Sequence, residues 1–174
     1  MKEPLWIPSA DRISKSNLMQ FISFVKANYD FSGATYSDLY NWSVNNIEVF
    51  WESIWKYSGI IYSQSYRQVL IRKEIYNSQW FTGSKLNFAQ NLLRYNDDHS
   101  AIISHRENYP SIKISYKQLN ELVTRTALGL KNLGVKKGDR VAAFISNVPE
   151  AVITMLAVTS LGATWSSTSP DFGI

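Results

Sequence analysis

The sequence predicts an α/β fold in which a helical amino-terminal cap is followed by the beginning of a mostly parallel sheet. Apolar residues recur at helical spacing in the first half of the 174-residue chain, whereas strand-like and helix-like segments alternate in the second half. Much of the aromatic content also falls in the first half. We therefore divide the chain into a helical, aromatic-rich region, residues 1–97, and a sheet-forming region, residues 98–174.

Two amphipathic helices account for most of the predicted cap. The first has apolar side chains on one face between Leu18 and Tyr29, and the second has an aromatic stripe between Ile47 and Trp55. Gly59 lies where the second helix should end. A stripe of this kind is more typical of core packing than of a ligand site.

Short elements are expected between these helices and the second half. Ser65–Glu74 has the composition of a strand, and Trp80–Ser84 resembles a turn. Leu86–Leu93 has the spacing of one or two helical turns. The low periodicity of this stretch predicts mainly irregular structure.

The second half begins with a predicted hairpin. Ala101–Ser104 and Ile112–Tyr116 read as strands, and the segment between them, His105–Ser111, contains Pro110 as a breaker.

A long amphipathic helix should follow the hairpin. Ser115 and a glutamine three residues later form a capping box that marks its start. Glu121 and Arg125 are spaced for an ion pair on its exposed face, and Gly134 suits the position after its end. The expected buried stripe consists of Leu119, Leu122, Val123, Thr126, Ala127, Leu130 and Leu133.

A strand–helix–strand unit completes the predicted sheet region. Val141–Ile145 reads as a strand, Val148–Leu161 as a helix capped by Asn147, and Ala163–Ser167 as a second strand. The helix is apolar nearly all round, so we expect it to be buried. Because only one such unit is complete at Ile174, we expect the chain to end within a domain. An unfinished sheet would favour self-association.

Composition excludes several classes of site. The net charge is +4, but the basic residues are scattered, and the cluster Lys136–Arg140 includes its own acid, so we predict no nucleic-acid partner. The chain has no cysteine, which excludes disulfides and thiolate metal sites. His99 and His105 lack metal-ligand spacing and are interpreted as surface residues, so we predict no metal site.

The chain shows no feature of a membrane or secreted protein. Its first residues lack an apolar leader, and its longest apolar run, Ala151–Leu161, is too short to span a bilayer. We therefore expect a cytoplasmic protein without a membrane partner.

Several segments resemble the acetoacetate–CoA ligases, a branch of the acyl-adenylate-forming superfamily. One of them, Trp80–Leu93, departs mildly from the family pattern at two positions, since the family has proline at Thr82 and glutamate at Gln90. The most specific is Leu161–Gly173, because acetyl-CoA synthetases have a different, glycine-rich loop at the corresponding place. The other segments are Leu5–Ser9, Tyr40–Val44 with Phe50, Trp51 and Trp55, Trp80–Leu93, Ser115–Leu119 and Gly134–Val141.

The resemblance implies a fold, a reaction and its cofactors. Residues 1–97 would be a cap of the type found in acetyl- and acetoacetyl-CoA synthetases, and residues 98–174 the first part of the AMP-binding domain. The family uses ATP, Mg²⁺ and CoA to convert acetoacetate into acetoacetyl-CoA, AMP and pyrophosphate. The resemblance covers roughly the first quarter of such a protein. Its phosphate loop and late catalytic lysine are not recognised here, so we expect no catalytic residue, no bound cofactor and no ligase activity in residues 1–174.

The resemblance also suggests one group of binding residues. In the related acetyl-CoA synthetases the loop that aligns with Ser169, Pro170, Asp171 and Phe172 lies near the pantetheine of CoA, so these residues are candidate CoA contacts. A plain strand-ending turn is the alternative, since serine, proline and aspartate are common turn residues. Trp165 suits either a pocket wall or the core.

Two other functions are compatible with the sequence. The chain would act as a non-catalytic binding module if it came from a shortened ligase gene. It would also fit a piece of an acetyl- or propionyl-CoA synthetase, although the Trp165–Gly173 segment argues against that choice.

Overall fold

The computed structural model describes residues 5–171, which divide into two compact units. The first unit runs up to Ile60 and resumes over Ser65–Ser84. The second unit combines Ile61–Gln64 with the chain from Lys85 onward. Helices and small sheets occur together, which confirms the predicted α/β class. The domain division between residues 97 and 98 stays a prediction.

The first unit consists of short helices followed by a hairpin. Its two strands pair antiparallel, with Leu70 opposite Trp80. Its elements are α1 (Ala10–Ser14), α2 (Asn17–Asn28), α3 (Tyr36–Asn45), α4 (Ile47–Tyr57), β1 (Gln68–Ile71), a 3-10 turn (Ile75–Asn77) and β2 (Gln79–Thr82).

Local side-chain chemistry explains where these helices begin and end. Ser16 accepts a hydrogen bond from an amide in the first turn of α2, and Thr35 and Asp38 form a reciprocal capping box on α3. Gly59 adopts a φ of +57° just beyond α4, as expected from the sequence. The core of this unit is formed by Phe21, Ile22, Val25 and Leu39.

The predicted turn at Trp80–Ser84 is wrong in its first half, because Gln79–Thr82 is strand β2. The ring of Phe81 stacks on Trp55 at 4.7 Å, and Trp80 meets Trp51 edge-on at 5.7 Å. These aromatic contacts favour pairing with β1 over a local turn. The strand expected over Ser65–Glu74 is correspondingly shorter.

The second unit contains the hairpin and the strand–helix–strand unit expected from the sequence. Its core is built where α5, α6 and α7 pack together, around Ala89, Val123, Leu156 and Ala157. Its elements are α5 (Phe88–Leu92), β3 (Ser100–Arg106), β4 (Tyr109–Ser115), α6 (Tyr116–Asn132), β5 (Arg140–Phe144), α7 (Pro149–Ser160) and β6 (Thr164–Thr168).

The hairpin is tighter than predicted. Arg106 pairs with Tyr109, so the connection is only Glu107 and Asn108, with Asn108 at a φ of +59°. Asparagine tolerates that left-handed conformation, which makes the two-residue turn accessible. Pro110 therefore lies inside β4 rather than in the loop. It sits beside an irregularity in strand pairing, where the ladder does not need its missing N–H.

Helix α6 follows its predicted signals except at its last apolar residue. Ser115 and Gln118 form the capping box, and Arg125 approaches Glu121 to 3.4 Å. Gly134 follows the helix with a φ of +94°. Leu133 is 84% exposed, so its assignment to the buried stripe is wrong. It is the residue at the helix end and points away from the packed face.

The parallel pair β5–β6 is joined through α7. Their register runs from Arg140 opposite Thr164 to Phe144 opposite Thr168. Helix α7 buries one side, while Val152 is exposed, so the expectation of burial all round is wrong. Asn147 does not cap α7, because the helix starts after Val148 without a side-chain cap. Across residues 5–171 no helix combines the length and apolar character needed to cross a bilayer.

Candidate functional site

The predicted CoA-contact residues lie in the turn that follows β6. The Ser169 hydroxyl donates to Oδ2 of Asp171 at 2.8 Å and accepts the Asp171 backbone N–H at 3.3 Å. Ser169 is half-buried, whereas Pro170 and Asp171 are exposed. Phe172 lies outside the described residues. The two polar side chains thus form one closed turn that presents a carboxylate to solvent.

The loop after β5 runs beside this turn. The Ile145 N–H donates to the carbonyl of Thr168 at 3.1 Å, which extends the β5–β6 pairing to the ends of both strands. Ser146 and Asn147 follow immediately and are exposed. In open parallel sheets the crevice outside the carboxyl ends of the strands is the usual ligand site. Ser146 and Asn147 were not predicted as binding residues, although their position directly after a predicted parallel strand was a signal for them.

The start of α7 belongs to the same edge of the sheet. Its amide groups have no side-chain cap, and Pro149 fills the first turn. An uncapped helix start favours negative charge, but Glu150 already carries one in that turn. With Glu150 and Asp171 both at this edge, amide or hydroxyl donors would be better matched than phosphate groups.

Trp165 lies on β6 and is half-buried, so neither of its two proposed roles is excluded. Its strand partner is Val141 on β5. Both side chains belong to the only parallel sheet within the described residues. The half-buried side chain of Trp165 is compatible with packing against that sheet. Its burial does not require a contact with the Ser169–Asp171 turn.

An open groove of about 510 Å³ lies at the start of α6. Its charged side chains are Asp98, Glu121, Lys113 and Lys117, so its formal charges cancel. A groove without net charge gives little selection between ionic ligands. We therefore keep the carboxyl edge of β5 and β6 as the candidate site.

Both histidines lie away from that turn in the chain and have local partners. His99 contacts the Asp97 carboxylate through Nδ1, and its ring lies 4.5 Å from that of Tyr116. His105 Nδ1 lies 2.7 Å from the Ser111 hydroxyl across the hairpin. Among residues 5–171 no three histidine, aspartate or glutamate side chains converge in a way that would hold a metal ion.

A polar cluster in the first unit was not predicted from the sequence. Glu52 accepts the Tyr66 hydroxyl at 3.0 Å and lies 3.1 Å from the ammonium of Lys56. The hydrogen bond that the Lys56 ammonium donates to Glu52 raises the pKa of Lys56. Burial raises the pKa of Tyr66, and Glu52 adds to that effect. The cluster ties α4 to the segment before β1, which is a structural role.

Two family models match the chain. The model described as AMP-binding enzyme matches residues 88–174, half of the chain. The model described as Acetyl-coenzyme A synthetase N-terminus matches residues 36–92.

Individual relatives match nearly the whole chain. Acetoacetyl-CoA synthetase of Xenopus tropicalis is 39% identical, over 98% of this chain and 26% of its own length. Malonamoyl-CoA synthetase vrtB of Penicillium aethiopicum is 35% identical, over 99% of this chain and 25% of its own length. The solved acetoacetyl-CoA synthetase of Streptomyces lividans superposes with a TM-score of 0.90 at 31% identity, over 99% of this chain and 27% of that one. The chain thus spans about a quarter of the length of these relatives.

Proposed function

The chain belongs to the AMP-binding enzyme family, and we propose that it forms the amino-terminal part of an acetoacetate–CoA ligase. The observation that carries this proposal is the likeness of both units to one solved acetoacetyl-CoA synthetase, with a TM-score of 0.90 over 99% of this chain. The sequence likeness to acetoacetyl-CoA synthetases over 98% of the chain supports it independently.

The proposed reaction has two steps. A carboxylate oxygen of acetoacetate attacks the α-phosphorus of ATP, and pyrophosphate leaves. The thiol sulfur of CoA then attacks the acyl carbonyl of acetoacetyl-AMP, which releases AMP and gives the thioester. Mg²⁺ would neutralise the polyphosphate in the first step.

The described residues do not supply the groups that would bind ATP and Mg²⁺ in the first step. No carboxylate cluster in residues 5–171 offers Mg²⁺ a site. The exposed acids Glu150 and Asp171 near the candidate turn would repel a polyphosphate. We therefore assign ATP and Mg²⁺ binding to the remaining three quarters of the proposed enzyme, and we expect residues 1–174 alone to form no acyl-CoA.

CoA fits the candidate turn better. Pantetheine carries two amide N–H donors, and the exposed Asp171 carboxylate is an acceptor suited to such a donor. Ser169 holds that carboxylate through its hydroxyl, and Pro170 limits the backbone conformations of the turn. We propose Ser169, Pro170, Asp171 and Phe172 as the CoA-contact segment, with Asp171 as the hydrogen-bonding group.

The choice of acyl acid rests on the proteins that this chain resembles. A malonamoyl-CoA synthetase is 35% identical to this chain. Enzymes that use acetoacetate and enzymes that use malonamate therefore have similar sequences in this region. We propose acetoacetate because it is the acid named by the other relatives and by the solved structure. Malonamate is the second candidate.

The β5–β6 sheet supports a proposal about association. Phe144 is 70% exposed on the face of β5 opposite to the half-buried Val141 and Ala143. A parallel sheet is usually covered on both faces. We propose that further parts of the longer enzyme cover this face, and that copies of the 174-residue chain associate there when those parts are absent.

The test uses the longer polypeptide that contains this sequence. Purified protein is incubated with ATP, Mg²⁺ and CoA plus acetoacetate, malonamate, acetate or propionate, and the acyl-CoA products are identified by mass spectrometry. We expect acetoacetyl-CoA as the main product, together with AMP. Preference for acetate or propionate would overturn the substrate assignment. Acyl-CoA formation by residues 1–174 alone would overturn the placement of the ATP site.

A further inference from the structure

The β1–β2 connection presents two apolar side chains to solvent. Ile75 is 97% exposed and Tyr76 is 80% exposed. The connection is internally hydrogen-bonded, since the Asn77 N–H donates to the Glu74 carbonyl at 2.8 Å and the Lys73 N–H donates to the Ser78 hydroxyl at 3.1 Å. These apolar groups are therefore displayed by a defined turn, which lowers the entropy cost of docking them.

A groove of about 390 Å³ lies beside this turn. Ile47, Leu70 and Trp80 supply its apolar lining, and Arg72 and Lys73 contribute two positive charges. Within the part of the chain that the structure describes, neither cation forms a salt bridge. We call Arg72, Lys73, Ile75 and Tyr76 the tip surface. It is suited to an apolar partner that carries carboxylates.

A complementary surface exists on α3 of the same unit. Tyr36, Tyr40 and Val44 recur every four residues and are exposed, and the rings of Tyr36 and Tyr40 stack at 6.4 Å. Glu48 is exposed in the first turn of α4, just beyond them. We call Tyr36, Tyr40, Val44 and Glu48 the α3 surface.

The charges of the two surfaces are opposite. Residues 27–55 contain four acids, Asp30, Asp38, Glu48 and Glu52, and no lysine or arginine, so their formal charge is −4. Asp38 is used in the cap of α3 and Glu52 pairs with Lys56, which leaves Asp30 and Glu48 as the exposed acids outside these contacts, with Glu48 at the start of α4. The tip surface carries the two cations Arg72 and Lys73, and the exposed Glu74 of the same turn, which is hydrogen-bonded to Tyr76, leaves that turn with a formal charge of +1. One copy of the chain thus carries both halves of a charge-matched contact.

The tip surface borders the start of α4, the segment that carries Glu48 of the α3 surface. Ile47 lines the groove next to the tip surface and lies two residues after the end of α3. Adjacent complementary surfaces pair reciprocally across a two-fold axis, because each copy then offers one surface to the other. We propose that a second copy of this chain is the partner, with the tip surface of each copy on the α3 surface of the other.

The available apolar area is adequate for such a dimer. Tyr36, Tyr40 and Tyr76 are each more than half exposed. With Ile75 and Val44, and with every contact made twice, they would remove roughly 1,000 Å² from solvent, near the lower limit for a specific interface. The dimer should therefore be moderate in affinity and should weaken with added salt, since its charge pairs lie at the surface.

The test measures, by sedimentation equilibrium, the dimer dissociation constant of the 174-residue chain carrying Phe144→Asp, which removes the association through the β5–β6 sheet proposed above and serves as the wild-type reference for the tip contact. The double variant R72E/K73E and the single variant E48K should each raise that constant at least about tenfold. The triple variant R72E/K73E/E48K reverses both surfaces and should restore the wild-type constant. K113E/K117E reverses two charges in the other unit and serves as the control that should change nothing.

A second measurement reports which surfaces meet. The chain has no cysteine, so an equimolar mixture of Asn77→Cys, at the tip, and Asn41→Cys, on α3, should form the mixed disulfide in preference to either homodisulfide. This result does not depend on charge-reversed variants folding.

Several outcomes would overturn the proposal. One is a monomer at every concentration, either for this chain or for a longer polypeptide that contains it. Another is a dimer of the Phe144→Asp chain whose dissociation constant is unchanged by R72E/K73E, which would assign the remaining association to a surface other than the tip. Absence of the mixed disulfide in a dimeric sample would exclude the proposed pairing.

Discussion

The carboxamide of Asn91 pairs with the backbone of Ile61 much as a neighbouring strand would. Its Oδ1 accepts the Ile61 N–H at 2.9 Å, and its Nδ2 donates to the Ile61 carbonyl at 2.9 Å. Both residues are half-buried. One side chain of α5 therefore satisfies both backbone groups of a residue thirty positions earlier, where no strand is present to do so.

Substitution of Asn91 by alanine should destabilise the protein. The Ile61 N–H and carbonyl would lose their partners in a half-buried position, which typically costs about 1–3 kcal/mol. Urea denaturation should show a lower midpoint with an unchanged slope. Gln90→Ala is the matched control, because the Gln90 side chain is exposed. Equal midpoints for the two variants would show that the Asn91 bonds contribute nothing measurable.

The capping box on α6 should contribute measurably to stability. Ser115→Ala removes the acceptor for the Gln118 N–H, and caps of this type are worth about 0.5–2 kcal/mol. Ser115→Asp keeps an acceptor at the same position and should retain most of the wild-type stability. The comparison is made by thermal unfolding followed by circular dichroism. A Ser115→Asp variant as unstable as Ser115→Ala would argue against capping as the cause.

Two glycine-to-alanine substitutions should change the free energy of unfolding in opposite directions. A Cβ at Gly33 would lie 2.6 Å from Cζ of the Phe31 ring, so Gly33→Ala must displace the ring and should destabilise the first unit. Gly129 lies inside α6 with nothing within 4 Å of its added Cβ. Gly129→Ala should stabilise by about 0.5–1 kcal/mol, the usual helix propensity difference. Both changes in stability are measured by chemical denaturation. If the two variants shift the denaturation midpoint in the same direction, the packing argument is contradicted.

Acid should weaken the cap of α3. Hydrogen bonds from the backbone N–H groups of Ala34 and Thr35, and from the Thr35 hydroxyl, lower the pKa of Asp38. Because the pKa is lower in the folded state, the stabilisation is complete above the ordinary carboxyl range, near pH 4, and is lost as the pH falls through the folded value. The stability advantage of the wild type over Asp38→Asn should therefore shrink between about pH 5 and pH 2.

The control for this pH series is Asn41→Ala, an exposed substitution on the same helix that leaves the cap intact. Its difference from the wild type should stay constant over the same range. Melting temperatures recorded at each pH provide the comparison. A wild type to Asp38→Asn difference that does not change with pH would rule out the capping carboxylate as its source.

The proposed CoA contact predicts a selective kinetic effect in the longer enzyme. Asp171→Asn removes the charge of the acceptor and should raise KM for CoA about 3–10-fold, corresponding to one charge-assisted hydrogen bond. ATP–pyrophosphate exchange driven by the acid should be unchanged, because it precedes CoA. Asp98→Asn is the control acid in the same unit. Loss of exchange in Asp171→Asn would point to a structural role for the turn.

Local signals predicted much of the secondary structure in the second unit. The Ser115 and Gln118 capping box and Gly134 after α6 depend on contacts between residues near in sequence, and the strands β5 and β6 with α7 between them were recognised from local apolar patterns. Such contacts act through backbone conformation and nearby hydrogen bonds, so they can be recognised without knowing what packs against them. A turn at Ser169–Asp171 was expected from its serine, proline and aspartate, whereas its role in CoA binding was implied by the family resemblance and stays a prediction.

The predictions that were wrong involve residues whose environment is determined by distant parts of the chain. Trp80 and Phe81 were assigned to a turn, but contacts with Trp51 and Trp55 on α4 place them in a strand. Leu133 continues the apolar spacing of α6 yet lies beyond the packed surface. Periodicity identifies a side of an element, but it does not identify which element covers that side.

The sequence by itself determined the α/β class, the start and end of α6, the end of α4 at Gly59 and the position of the turn that follows the last strand, because short-range chemistry specifies each of these. Only the tertiary structure decided that Asn91 serves as the partner of Ile61, that the hairpin closes at Glu107 and Asn108, and that Arg72 and Lys73 line a groove with Ile47. Those outcomes depend on which distant segments meet, and burial of apolar surface makes that choice for the chain as a whole.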